Sequence, residues 1–252
     1  MNKPYITAHS GCDGTERDSL ESIDKAILFG ADIVEIDIRK GPDGNLYVSH
    51  DAVTAENMAS KSMVKEAFIK VCYAGLSVNC DMKEQGALYD LLHLAAAYGL
   101  DKNHLILSGC VSPEQIARDP KLAEQARIYM NLEEIWKMLY FAQCQKGYTE
   151  QFDTLMNDPW VFLKKYEVPE SWMDEAICFV KAYHLAGVNL PYRCLCETFV
   201  EKLQKTNTPF SVWTVNDAEL IERCIRIGSE NITTREAELA LAVRSRVCKS
   251  EP

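Results

Sequence analysis

Two carboxylates two residues apart, a third acid followed two residues later by a lysine, and two histidines are the reactive content of this sequence. In the stretch DIVEIDIR, Glu35 and Asp37 alternate with Val34, Ile36 and Ile38. An extended chain places such residues on opposite faces, so the two acids lie side by side. In LSVNCDMK, residues 76–83, the same period of two sets Leu76, Val78, Cys80 and Met82 against Ser77, Asn79, Asp81 and Lys83. Burying carboxylates unpaired costs several kcal/mol each, on the order of what an ion loses on leaving water. A positive charge must therefore stand between Glu35, Asp37 and Asp81. Three carboxylates form an all-oxygen set suited to Mg2+ or Ca2+ rather than to zinc. The alternative is a metal-free network in which Lys83 or an arginine neutralises the acids. His9 closes the strand-like ITAH, and His50 follows the apolar LYV. Two imidazoles at the same end of one fold as a carboxylate pair could act as general acid and base on a held anion.

These residues need elements to hold them at one place. Strand-like runs occur at 5–9, 32–38, 76–82, 104–109, 126–131, 187–191, 210–215 and 231–234. Helical patterns separate them. Residues 19–29 open on Ser19 as a cap, 63–72 form one short helix, and 85–98 stop at Gly99. Residues 172–186 follow Ser171 and stop at Gly187, and 217–227 stop at Gly228. Eight strands alternating with helices predict an α/β fold, a parallel (β/α)8 TIM barrel formed as a single domain over residues 1–252. Barrel enzymes carry their chemistry at the C-terminal ends of the strands, where Asp37, Asp81, Lys83, His9 and His50 all fall. Residues 51–75 read as a short insert after the second strand. Residues 147–170, with Tyr148, Phe152, Trp160, Phe162 and Tyr166, read as an extra segment between the fifth and sixth strands, a lid or pocket wall.

A net charge of −10 disfavours nucleic acid or an anionic membrane as the main partner. No window reaches membrane-spanning length, and the N-terminus enters a strand with no apolar leader, so membrane insertion is not expected and a cytoplasmic location is. Ten cysteines occur, without any CxxC pair. Those at 72, 80, 178 and 224 fall in apolar periodic segments and read as small hydrophobes rather than disulfides or zinc ligands.

The opening fifty residues resemble the glycerophosphodiester phosphodiesterases. That family's pattern is a strand ending His-Arg-Gly, then Glu-Asn-Thr, Glu-x-Asp, an Asp-Gly turn and His-Asp. Here the counterparts are His9-Ser10-Gly11, Arg17-Asp18-Ser19, Glu35-Ile36-Asp37, Asp43-Gly44 and His50-Asp51. Phe210 to Asp217 (FSVWTVND) resembles the family's Trp-Thr-Val-Asn signature, and residues 230–234 its last strand. The resemblance implies His9 and His50 as the catalytic acid–base pair, Glu35, Asp37 and Asp81 as ligands of a divalent cation, Lys83 as a phosphate contact and Trp213 as a pocket wall. The implied reaction releases an alcohol and glycerol 3-phosphate from a small phosphodiester, within glycerol and lipid metabolism. In the family's usual account the glycerol 2-hydroxyl attacks phosphorus and water then opens the cyclic phosphate.

The departures bear on substrate fit. Ser10 stands where the family has an arginine able to clamp phosphate, and Arg17 stands where it has a glutamate, so either the guanidinium reaches the phosphate from residue 17 or Arg17 is a solvent-exposed arginine. Asp81 is one methylene shorter than the family's glutamate, and residues 51–75 are fewer than its usual insert. Two other readings remain at this point. One is a degenerate barrel that binds a phosphorylated ligand without catalysis. The other is a phospholipase-D-like enzyme on the same fold, which the missing leader disfavours. A homo-oligomer is left open.

Overall fold

A computed structural model describes residues 3–144, 149–158, 161–162, 165–166 and 170–249. Among them nine strands form one sheet. Eight run parallel and close on themselves: β1 (Tyr5–Ala8), β2 (Ile33–Lys40), β4 (Ser77–Met82), β5 (Leu105–Gly109), β6 (Arg127–Asn131), β7 (Gly187–Pro191), β8 (Phe210–Trp213) and β9 (Asn231–Thr234). The ring runs β1, β9, β8, β7, β6, β5, β4, β2, and β2 returns to β1. The barrel read from the alternation of elements is the fold observed. The ninth strand, β3 (Leu46–Val48), was not expected. It pairs antiparallel with the end of β2, through a turn in which Gly44 takes φ +82°.

Helices α1 (Leu20–Phe29), α2 (Val64–Ala74), α3 (Leu88–Ala97), α4 (Pro113–Arg118), α5 (Leu122–Gln125), α6 (Leu132–Cys144), α7 (Glu150–Asn157), α8 (Glu170–Ala182), α9 (Glu197–Lys205), α10 (Ala218–Arg226) and α11 (Ala237–Lys249) surround the strands. Ser19 caps α1 by accepting from Ser22 N at 3.1 Å, and Asp217 caps α10. Residues 51–75 hold a 3-10 turn and α2, the crossover helix between β2 and β4.

Two expectations about the crossover between the fifth and sixth barrel strands need correction. Its helix starts at Glu170 and ends at Ala182, four residues before the expected end. His184 takes φ +52°, and Leu185 N turns back to Val180 O at 2.9 Å, so the helix closes on a left-handed histidine, which therefore lies outside it. Gly187 belongs to β7 instead, where a Cβ would meet Pro209 O at 2.4 Å. Of the four cysteines read as core, Cys80 and Cys224 are buried, whereas Cys72 and Cys178 are exposed. Tyr148 and Trp160 of the extra segment lie outside the described residues. Phe152 and Phe162 are buried.

The strand faces divide as the period of two requires. Val34, Ile36, Ile38, Val78, Cys80 and Met82 pack outward into the main core with the helices. Inside, Ile33, Ile106 and Tyr129 form a small apolar floor. Above it the lining turns polar: Glu35, Asn79, Asn131, Asn189, Ser211, Asn231 and Thr233 are all buried. No helix among the described residues is long and apolar enough to cross a membrane.

Candidate active site

The polar lining opens at the C-terminal ends of the strands into a cavity of about 480 Å3. Its wall includes His9, Arg17, Glu35, His50, Asp81, Lys83 and Trp213, which are seven of the eight residues singled out in the sequence. The eighth, Asp37, is fully buried just behind them. A larger hollow of about 690 Å3 at the opposite end, around Tyr5, Pro209 and Glu230, gathers no histidine.

Parallel register places Glu35 beside Asn79 and Asp37 beside Asp81. Oxygens of Glu35, Asp37 and Asp81 lie within 4.8 Å of one another. Lys83 Nζ stands 2.8 Å from Asp37 Oδ1 and also pairs with Asp81. Asp81 Oδ1 accepts from Ser108 Oγ at 2.8 Å, and Arg17 Nη2 lies 3.5 Å from Asp37 Oδ2. Burial first, then the charges of Asp37 and Asp81, raise Glu35 well above the usual carboxylate range. Burial works to raise Asp37 too, but Lys83 outweighs it and holds Asp37 low. For Lys83 burial opposes the charge, and its three acids together carry it above the ordinary lysine value.

These positions bear on a metal. The donor set is all carboxylate oxygen, it is compact, and Asp37 Oδ1 is buried with the Lys83 ammonium beside it. Glu35, Asp37 and Asp81 therefore fit a hard divalent cation. Lys83 supplies the counter-charge between Asp37 and Asp81 in this structure, so binding of such a cation requires its ammonium to move aside.

Each histidine is oriented by its own loop. His9 N is fixed to Thr234 O at 2.8 Å. His9 Nδ1 donates to Ser10 O at 2.9 Å, because a carbonyl can only accept. His50 Nδ1 lies 3.1 Å from Asp51 Oδ1, and a carboxylate makes it the donor in the same way. Each neutral ring is thereby left with Nε2 unprotonated. Burial lowers the pKa of His9, the Ser10 bond opposes this, and the charge of Arg235 adds to the lowering.

Ser10, in the place of the family's arginine, is buried. Ser10 N donates to Glu35 Oε2 at 2.8 Å, and Ser10 Oγ accepts from Asp18 N at 2.7 Å. Asp18 Oδ2 in turn accepts from His50 N at 2.9 Å. The serine thus ties the two histidine loops together through Asp18 and offers nothing to an anion. Arg17 lines the cavity, with 40% of its side chain exposed.

Several residues of the site escaped the sequence reading. Asp18, behind the lining, is one. Arg235, just after β9, stands on the wall with its backbone N donating to Asn216 Oδ1 at 2.9 Å. Asn131 at the end of β6 accepts from Gly109 N and from Asn189 Nδ2, at 3.0 and 2.8 Å. Glu133 and Glu134 open α6 beside it, and Asn157 arrives from the end of α7. The signal that could have found Glu133 is the rule applied to Asp81, namely an acid at the C-terminal end of a barrel strand.

A closed parallel barrel whose mouth gathers two oriented histidines, three acids and a lysine is a barrel equipped for acid–base chemistry on an anion. Residues 9–84, the stretch that holds His9, Glu35, Asp37, His50, Asp81 and Lys83, match the sequence model of the Glycerophosphoryl diester phosphodiesterase family. Similar solved structures include a glycerophosphodiester phosphodiesterase from Thermotoga maritima, 21% identical, covering 96% of this chain and 99% of that one, with TM-score 0.65. One from Parabacteroides distasonis is 15% identical over 100% and 99% of the two chains, with TM-score 0.68. A phosphodiesterase from Oleispira antarctica, in complex with its product sn-glycerol-3-phosphate, is 14% identical over 96% and 97%, with TM-score 0.65. At these identities the likeness is one of fold. No curated protein matches the chain.

Proposed function

We propose that this protein hydrolyses a small glycerophosphodiester to an alcohol and glycerol 3-phosphate. The observation that carries the reading is that His9 and His50, each with Nδ1 tied down and Nε2 left to act, line one cavity with Glu35, Asp81 and Lys83. One imidazole takes a proton from the attacking hydroxyl while the other gives one to the leaving alcohol oxygen, so the phosphorus–oxygen bond breaks without expelling an alkoxide. The overall balance is diester plus water to alcohol plus phosphomonoester. Lys83 and Arg17 set positive charge against the non-bridging oxygens, and Trp213 walls the substrate. Glu35, Asp37 and Asp81 would hold Mg2+ or Ca2+, which when bound supplies Lewis-acid neutralisation of the phosphate charge.

The test is release of glycerol 3-phosphate from glycerophosphocholine with Mg2+ or Ca2+ present, and its loss with EDTA. EDTA that alters neither turnover nor melting temperature sinks the metal assignment. A second reading, binding without catalysis, draws on the loss of the arginine after His9, where Ser10 stands. It is favoured if turnover is absent while glycerol 3-phosphate raises the melting temperature.

A further inference from the structure

The cavity has two unlike walls. By the ring order β1 and β6 are four strands apart in either direction, so His9 and Glu133 face each other across the mouth. On the β1, β2 and β4 side the acids are matched by Lys83 and Arg17. On the β6 side Glu134 is spent on Lys137 at 2.6 Å. Glu133 is different. Its Oε1 accepts from Asn131 Nδ2 at 2.8 Å, which locks the side chain, while its Oε2 is buried and has no hydrogen-bond partner. Two strands along, Trp213 Nε1 is likewise buried with no acceptor. Both residues line the cavity. A buried carboxylate oxygen without a partner is costly, and at a cavity wall it calls for an occupant.

We propose that Glu133 is a specificity-determining residue, its free Oε2 accepting a hydrogen bond from a hydroxyl on an alcohol portion of the substrate. The inference rests on the phosphodiesterase reading above. A diester whose phosphorus is held near His9 and Lys83 must send one of its alcohols across the cavity toward β6. The wall there offers an acceptor at Glu133 and a donor at Trp213 Nε1, and a hydroxylated chain can satisfy both because each hydroxyl donates and accepts. An ammonium group only donates, and it would meet Trp213 N–H, Lys137 and Arg235 with nothing to give them. A polyol therefore fits better than an amino alcohol.

The experiment compares wild type, Glu133→Met and Glu133→Gln as full chains on three diesters. Glycerophosphoglycerol has hydroxyls on both alcohols, glycerophosphocholine on one only, and bis(p-nitrophenyl) phosphate on neither. Glu133→Met should cut kcat/KM for glycerophosphoglycerol about 10- to 100-fold, the range for a hydrogen bond to a charged group, and shrink the preference over bis(p-nitrophenyl) phosphate by the same factor. Glu133→Gln, which keeps the size and the Asn131 contact, should move the same way by less, and it decides the matter if the methionine variant does not fold. A loss confined to glycerophosphoglycerol places the leaving alcohol at Glu133. An equal loss on both glycerol-bearing diesters places the glycerol half there. Equal effects on all three substrates, no effect, or a loss confined to glycerophosphocholine overturns the assignment. Should wild type cleave none of them, the functional reading falls separately. Glu133 is then judged by melting shifts: wild type must be raised more by glycerol 3-phosphate than by inorganic phosphate, and Glu133→Met must lose that excess.

Discussion

The two ends of the barrel handle buried charge in opposite ways. At the foot, Asp32 is half-buried and paired: Oδ2 accepts from Ile6 N at 2.8 Å and pairs with the buried Arg244, whose Nη1 also donates to Pro4 O at 2.9 Å. Glu230 accepts from Tyr129 Oη at 2.6 Å. At the mouth, three acids crowd one another around a single lysine, Glu35 is driven toward its neutral form, and Glu133 Oε2 and Trp213 Nε1 are left over. A network that fixes structure spends its hydrogen-bonding capacity internally. One that serves a ligand holds capacity in reserve and carries the cost in the free protein.

The largest effect belongs to the mouth. His9→Ala and His50→Ala should each lower kcat by about 10²- to 10⁴-fold, the usual worth of a positioned acid or base, with little change in melting temperature. Steady-state turnover of a glycerophosphodiester, alongside thermal melting, checks both halves. Unchanged turnover for either variant removes that histidine from the acid–base pair.

The mirror-image expectation holds at the foot. Arg244→Met takes the guanidinium from a half-buried Asp32 and should cost about 1–3 kcal/mol of stability, the range for a hydrogen bond to a charged group. The folded fraction should keep the wild-type kcat, since Arg244 lies at the far end of the barrel from the histidines. Denaturant unfolding gives the first number and turnover at low temperature the second. A stable Arg244→Met protein would erase the distinction between a closed network and an open one.

What could be read in advance follows the same division. Glu35, Asp37, Asp81 and Lys83 were legible because a strand's period of two assigns each residue to a face without reference to the rest of the molecule. Strand β3 was not, since three residues in a hairpin are too few for a period to show. The end of α8 is not marked by the nearest glycine: His184 adopts the left-handed turn, and Gly187 is needed where β7 approaches Pro209. Glu133 escaped for another reason. An acid in the first turn of a helix is ordinary, and only closure of the barrel brings that turn over the cavity. Whether Arg17 binds phosphate was likewise beyond the sequence, and its position between Asp37 and the cavity leaves both roles to the guanidinium.

A divalent cation sharpens the comparison at the next level of magnitude. Ca2+ or Mg2+ at about 100 times its Kd should stabilise the folded state by roughly 2.7 kcal/mol, through binding to N and not to U. Asp37→Asn should abolish most of that gain, while Arg244→Met, though less stable throughout, should keep it. Thermal shift with and without EDTA measures both. An Asp37→Asn protein stabilised as much as wild type would mean that the acids at the mouth answer to Lys83 alone.

The smallest effect isolates the reserve held on the β6 wall. Burial is the leading cause that pushes Glu133 up to about 7, from an unfolded value near 4.5. Between those values the folded state binds more protons than the unfolded one, so the stability this residue contributes is complete below pH 4.5 and is lost as pH rises through 7. Glu133→Gln keeps the contact to Asn131 and removes the titration. Its melting temperature should therefore match wild type near pH 4.5 and exceed it by a few degrees at pH 8, the gap opening between those limits. A gap constant with pH would trace the gain to packing instead. A gap that opens and then closes when glycerol 3-phosphate is added would show the unpaired oxygen being satisfied by ligand, because the cost relieved by the substitution is then relieved in wild type as well.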